Sequence, residues 1–209
     1  MRIELPSDVV KLLQKLQKSG HEAYVVGGCV RDSLLGRTPN DWDICTNASP
    51  KEMKDIFNDN TIIPTGIKHG TITVIVNNEG YEITTFRIDG NYSDKRKPDS
   101  IKFTDNIIQD LSRRDFSINA MAYNDAEGLI DPYNGSNHLK SKTICCVGNP
   151  NERFQEDGLR ILRAIRFSSQ LGFDIEHNTK LAIVNNTELL KHISQERIRD
   201  ELNKILLSD

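Results

Sequence analysis

The sequence contains no apolar run near the roughly 20 residues that a membrane-spanning helix requires. Its first residues, MRIELPSDVV, lack the apolar stretch of a secretion signal. A cytoplasmic protein with no membrane partner is therefore expected. Positive charge is not in excess either, since 27 Lys and Arg face 30 Asp and Glu for a formal charge of −3. No global positive field draws in a nucleic acid, so any RNA contact must be local or lie outside this chain. The four cysteines, Cys29, Cys45, Cys145 and Cys146, show no CxxC spacing and no His-x-His partner. That pattern argues against zinc and leaves reduced, mostly buried thiols. What is present is ordinary for a globular protein: 37% hydrophobic, 27% charged and 6% aromatic residues, which exclude global disorder. At 209 residues the chain can bury one real core but is short for two large independent domains.

The pattern along the chain predicts mixed structure followed by helices. Ser7 is placed to cap a first helix carrying Val9, Leu12, Leu13 and Leu16, with Gly20 as its stop. Ala23 to Val26 predicts a strand running into Gly27-Gly28, then a short helix over Val30 to Leu35. Asp41 to Thr46 alternates as a second strand, and Ser49-Pro50 opens a helix. Thr71 to Val76 and Tyr81 to Phe86 flank Asn77-Asn78-Glu79-Gly80, a hairpin signal. Ile88 to Ser100, with Gly90, Pro98 and the basic run Lys95-Arg96-Lys97, is expected to be a mobile loop. Thr104 can cap a helix through Leu111, and the turn Asp131 to Gly135 precedes a strand at Thr143 to Val147. From about residue 149 onward the pattern is helical, over about 150–171, 178–190 and 195–207. No internal repeat is visible. The expected domains are 1–148, mixed α and β, and 149–209, all helical.

The strongest chemical signal is Gly27-Gly28-Cys29-Val30-Arg31-Asp32 followed by Asp41-Trp42-Asp43. Residues i and i+2 of a strand share a face, so Asp41 and Asp43 can offer two carboxylates to one site. Those carboxylates repel unless a cation joins them, and Mg²⁺ is the hard, oxygen-preferring choice commonly held together with substrate phosphates. The paired glycines let the backbone approach a triphosphate closely, and Arg31 on the following turn can pair with phosphate oxygens. An isolated Asp-x-Asp is more often a solvated strand end; the glycine pair and Arg31 turn the reading towards phosphoryl or nucleotidyl transfer. Glu82 is the candidate third carboxylate, the alternative being an ordinary exposed strand glutamate.

Four blocks in order, VVGGCVRDSLLGRTPNDWDICT, RRDFSINAMAY, EDGLRILRAIRFSSQLGF and ISQERIRDEL, resemble the class II tRNA nucleotidyltransferases. That family includes CCA-adding enzymes and bacterial poly(A) polymerases within the polymerase-β-like superfamily. The resemblance runs from about residue 20 to the end of the chain. It implies an α+β fold, a nucleotidyltransferase head with a mixed sheet, followed by a helical neck. It also implies that Gly28, Arg31, Asp41 and Asp43 bind metal and triphosphate, that Arg114 meets the incoming nucleotide and that Asp115 helps organise the site. By the same resemblance Asp157 and Arg160 read the base edge of CTP or ATP. At about 100° per residue, Arg160, Arg163 and Arg166 share one helix face and Phe154, Ile161, Leu162 and Ile165 gather on a different one, so the helix can pack with one side and present guanidinium groups with the other; Arg163 and Arg166 join Arg160 as candidates for binding the nucleotide.

An Asp accepts from the exocyclic amine that cytosine and adenine carry, and leaves acceptors unpaired against guanine or uracil. Gly158 departs from the Pro or Ala more common in the family and is expected to loosen the helix slightly. The loop bearing Asp94 and Arg96 resembles one that helps switch specificity from C to A. The implied reaction is addition of C and A to the 3′ end of tRNA; A-only or CC-only addition and poly(A) tailing share these motifs. The run Ile118 to Tyr123 is closer to the CCA-adding branch. An inactive nucleotide- or RNA-binding module is the alternative of a different class. Family members continue into body and tail regions, so a truncated piece is expected; the oligomeric state is left open.

Overall fold

The computed structural model describes residues 2–92, 94 and 98–208. The chain divides into two compact units, Met1–Ile88 with Ile101–Arg113 and Asn119–Pro132, and Asp89–Ser100 with Arg114–Ile118 and Tyr133–Asp209. The expected boundary near residue 148 does not coincide with this division. Residues 133–148 group with the helical part because Thr143 and Ile144 pair in parallel with Asp174 and Ile175, and Phe116 bridges Cys146.

The first unit comprises α1 (Ser7–Lys18), β1 (Ala23–Val26), α2 (Gly28–Leu34), β2 (Ile44–Thr46), α3 (Pro50–Ile56), β3 (Thr61–Gly66), β4 (Thr71–Val76) and β5 (Glu79–Thr85). It continues with β6 (Arg87–Asp89), at whose last residue the chain leaves the unit, β7 (Ile101–Phe103), α4 (Ile107–Ser112), β8 (Ala122–Asn124) and β9 (Gly128–Ile130). Among the described residues a mixed sheet runs in the order β3-β4-β5-β2-β1-β8-β9. β2 and β5 are parallel and the other neighbours antiparallel, which bears out the expected mixed sheet. The middle strand is β2, wholly buried; beside it all four residues of β1 are buried, and α1 covers β1 with Val9, Leu12, Leu13 and Leu16. Tyr24 of β1 stacks on Phe86 at 6.2 Å between centroids, giving the core two large rings.

Local chemistry explains most of these elements. Ser49 and Glu52 form a reciprocal capping box with Pro50 in the first turn of α3. Asn77 and Asn78, at φ 51° and 66°, make the two-residue turn between β4 and β5, so β5 starts at Glu79, two residues earlier than the pattern suggested. Two caps differ from expectation. α1 begins after Pro6 rather than being capped by Ser7. Asn106, whose side chain accepts from Ile108 N–H, caps α4 in place of Thr104. Part of the expected loop is paired, as β6 and β7 form a ribbon; Lys95, Arg96 and Lys97 lie outside the described residues.

The second unit comprises α5 (Gly135–Lys140), β10 (Thr143–Ile144), α6 (Pro150–Glu156), α7 (Leu159–Leu171), β11 (Asp174–Ile175), α8 (His177–Asn185) and α9 (Gln195–Leu206). The continuous helix expected over 150–171 is broken at Asp157, which is extended at φ −149° and ψ 106°. Leu159, Leu162 and Ile193 form a buried cluster with Leu190 and Ile198 packed against it. Phe116 meets Phe167 edge-on at 5.8 Å. Of the apolar face expected on this stretch, Phe154, Ile161 and Leu162 are buried, whereas Ile165 is 39% exposed.

Candidate active site

Gly27 opens the candidate site in the first unit. Its φ of 83° with ψ of −125° is strained for any residue with a Cβ, so glycine is required where β1 turns into α2. Its N–H donates to Met121 O at 3.0 Å, which ties the turn to the end of β8. Gly28 is the first residue of α2, and a Cβ added there would lie 3.7 Å from Arg31 Nη2. The Arg31 guanidinium thus lies over the opening turn of the helix. Its Nε and Nη2 donate to the two oxygens of Asp32, each at 2.9 Å, and its Nη1 donates to Asn119 Oδ1 at 2.7 Å. Asn119 is buried, so the guanidinium plane is fixed from both sides.

Asp41 and Asp43 are both exposed and lie just before β2, which starts at Ile44 rather than at Asp41. The main chain remains ordered there because Val26 N–H donates to Asp43 O at 3.0 Å, continuing the ladder past the assigned strand. The ladder ends because the next residue of the neighbouring chain is Gly27, already turning away at positive φ. Asp43 also acts on Cys29. The buried thiol donates to Val26 O at 3.4 Å and is pushed up to about 12, first by burial and then by the Asp43 charge. Burial and the neighbouring carboxylate thus both favour the neutral thiol at Cys29.

Two exposed carboxylates with only oxygen donors fit a hard divalent cation that keeps water and substrate phosphates in its shell. Glu82 is exposed in mid-β5, and the register Ile44 with Ile83 sets it beside Asp43 along the sheet. Among the described residues, however, no three His, Cys, Asp or Glu side chains are grouped so as to hold a metal ion. Glu82 therefore stands beside Asp43 along the sheet without a grouped set of three carboxylates around it.

In the second unit Arg114 is half-buried, next to Asp115. Asp115 is buried; its Oδ1 accepts from Phe116 N–H at 2.8 Å and its Oδ2 from Arg163 Nε at 2.7 Å. The Asp115 charge raises the pKa of Arg163. Asp157 ends α6, and its Oδ1 accepts from Leu159 N–H at 3.0 Å, starting α7. Arg197 of α9 then holds both Asp157 oxygens, Nη1 to Oδ1 at 3.2 Å and Nη2 to Oδ2 at 2.8 Å. Arg160 donates to Arg153 O at 3.1 Å and pairs with Glu156. Arg166 donates to Glu201 at 2.6 Å and to Gln170 at 3.0 Å, and lies 4.2 Å from the Phe167 ring centre.

The three arginines expected to present guanidinium groups from one face are thus each held by a carboxylate: Arg160 by Glu156, Arg163 by Asp115 and Arg166 by Glu201. Asp157 and Arg160 do not pair with each other as helical neighbours, because the chain is extended at 157 and each side chain has its own partner. Arg197, Glu156 and Glu201 were missed as partners. Glu156 and Arg160 stand at an i,i+4 spacing that could have signalled the pair; Arg197 lies 40 positions from Asp157, beyond any local pattern. Beside these residues a cleft of about 520 Å³ is lined by Gly90, Tyr92, Glu152, Glu156 and Leu189, with Tyr92 OH donating to Asp89 at 2.8 Å.

A mixed sheet with a glycine turn, a short helix and paired carboxylates is the layout of a nucleotidyltransferase head, and the comparisons place it in a family. Residues 23–145 match the model of the poly A polymerase head domain, and residues 172–209 match a second described as a probable RNA and SrmB-binding site of polymerase A. The chain belongs to the poly A polymerase head-domain family. It is 50% identical over 204 residues to the CCA-adding enzyme of Lactobacillus delbrueckii subsp. bulgaricus, covering 98% of this chain and 51% of that protein. With the Geobacillus kaustophilus CCA-adding enzyme it shares 47% identity over 195 residues.

Among solved structures it is similar to the Bacillus stearothermophilus CCA-adding enzyme in complex with CTP. There the TM-score is 0.86 at 43% identity, over 94% of this chain and 47% of that one. The Thermotoga maritima CCA-adding enzyme complexed with tRNA matches with a TM-score of 0.81 at 28% identity, over all of this chain and 52% of that one. The chain therefore spans about half the length of the curated relatives it matches.

Proposed function

We propose that this chain is the nucleotidyl-transferring portion of a tRNA CCA-adding enzyme, working in the cytoplasm on the 3′ end of tRNA with CTP and ATP. In this reaction the terminal 3′ oxygen attacks the α-phosphorus of the nucleotide, the α–β phosphoanhydride bond breaks and pyrophosphate leaves. The observation that carries the reading is the pairing of exposed Asp41 and Asp43 with the Gly27-Gly28 turn and the anchored Arg31. Similarity to CCA-adding enzymes along almost the whole chain supports the choice of substrate.

Asp41 and Asp43 would hold Mg²⁺, which when bound neutralises phosphate charge and favours the attacking and leaving oxygens. Gly28 lets the triphosphate approach the main chain, while Arg31 and Arg114 supply positive charge to its oxygens. Asp157 accepts from the exocyclic amine of cytosine or adenine, and Arg160 donates to the ring edge. Arg163 orients Asp115, and Arg166 anchors α7 to α9 so that the reading residues keep their places. The division of labour expected from the sequence, a head over 1–148 and a helical neck over 149–209, is retained as this assignment of roles.

The test offers Mg²⁺, labelled CTP or ATP, and tRNA ending before CCA, after C or after CC. Addition of C, C and A in order is the expected result. Addition of A to the CC-ended tRNA alone would make it an A-adding enzyme, C alone a CC-adding enzyme, and repeated A a poly(A) polymerase.

A further inference from the structure

We propose that Arg197 of α9 is a positioning residue for base selection, acting by fixing how many acceptor sites Asp157 has left to offer. The inference rests on the reading of Asp157 as the group that meets the base. An ionised carboxylate accepts only, with about four lone-pair directions over its two oxygens. In this structure three are taken: Leu159 N–H and Arg197 Nη1 share Oδ1, and Arg197 Nη2 occupies Oδ2. One direction remains, on Oδ2. Asp157 and Arg197 are 14% and 23% exposed at their side chains, so solvent competes weakly for the pair and the bidentate fork locks the plane of the carboxylate.

A locked carboxylate with one open acceptor asks for a single N–H donor. The exocyclic amines of cytosine and adenine supply one; the carbonyls of uracil and guanine at the same positions supply none and face Oδ2 with a second acceptor. Without Arg197 the carboxylate could rotate about its stem and admit a bridging water, which donates to both acceptors and removes the penalty. Loss of Arg197 therefore acts on discrimination between bases, not on the hold on the triphosphate.

The experiment titrates the 209-residue chain with CTP, UTP, ATP and GTP in Mg²⁺ by calorimetry, for the wild type, Arg197→Met, Arg197→Lys and Asp157→Ala. The expected result for R197M is a fall of about tenfold or more in the CTP:UTP and ATP:GTP affinity ratios, carried by tighter binding of UTP and GTP while CTP and ATP affinities stay within about twofold. R197K, whose ammonium cannot grip both oxygens, should fall in between. D157A should lose the ratio altogether. A wild-type ratio in R197M while D157A has lost it overturns the role of Arg197 and leaves the base-reading role of Asp157 standing. An undiminished ratio in D157A, or no preference in the wild type, overturns that role and this inference with it. If R197M fails to fold by circular dichroism, R197K decides: an intermediate ratio supports the proposal and a wild-type ratio overturns it.

Discussion

Gly158→Ala sets a local propensity against a tertiary contact, and the two give opposite signs. Counted by helix propensity alone, replacing a glycine that opens α7 should stabilise by about 0.5–1 kcal/mol. The backbone raises no objection, since Gly158 sits at φ −59° and ψ −21°, ordinary right-handed helical angles. The contact does. An added Cβ would stand 3.0 Å from Leu189 Cβ, 3.2 Å from Leu189 O and 3.3 Å from Leu189 C. Two of those atoms are main chain of the 3-10 helix Thr187–His192, whose neighbour Leu190 packs on the buried cluster of Leu159, Leu162 and Ile193. Relief requires shifting packed backbone, and overpacking of that kind costs about 1–3 kcal/mol. The net is a destabilisation of about 1 kcal/mol, which for a chain of this size lowers Tm by about 2–4 °C. Thermal and urea melts followed by circular dichroism read it directly. A Tm that rises in G158A would refute the contact argument and restore the propensity argument.

Glu201→Ala should destabilise by about 3 kcal/mol, because it strands the half-buried Arg166 guanidinium, whereas Glu201→Gln keeps an acceptor and should cost less; urea midpoints of the two variants check the order. Cys29 and Cys146 are both pushed from an ordinary 9.0 up to about 12, burial being the first cause. A folded-state pKa raised in this way stabilises fully below about pH 9 and is lost as pH climbs towards 12. The urea midpoint should therefore drop across that window, and replacing both thiols with Ala should flatten the drop; an unchanged slope would contradict it. At pH 8 the same two thiols should resist iodoacetamide in the folded protein and react on unfolding, as mass spectrometry would record.

The head of the fold was legible because its elements are local. Val9, Leu12, Leu13 and Leu16 announce α1, Asn77-Asn78 announces the hairpin, and Ser49-Pro50 announces α3. Asp41 and Asp43 were expected on a strand that begins only at Ile44; the bond from Val26 N–H to Asp43 O carries the ladder one residue further, to Asp43 alone. The break at Asp157-Gly158 was missed because apolar spacing from Phe154 to Leu162 runs through it, although Asp-Gly is itself a turn signal. The partners of the arginines could not be read, since Asp115 with Arg163 and Glu201 with Arg166 join residues 48 and 35 positions apart. Such pairings are decided by packing, not by local pattern.

The central claim, that Asp41 and Asp43 hold the metal for nucleotidyl transfer, is tested most directly by single-turnover transfer of labelled nucleotide to tRNA lacking its CCA end. Asp41→Ala and Asp43→Ala should each keep the circular dichroism spectrum and melting curve of the wild type, because both side chains are exposed. Their transfer rate in saturating Mg²⁺ should fall by about a thousandfold or more, equivalent to about 4 kcal/mol of lost transition-state stabilisation. Wild-type turnover in either folded variant would contradict the claim.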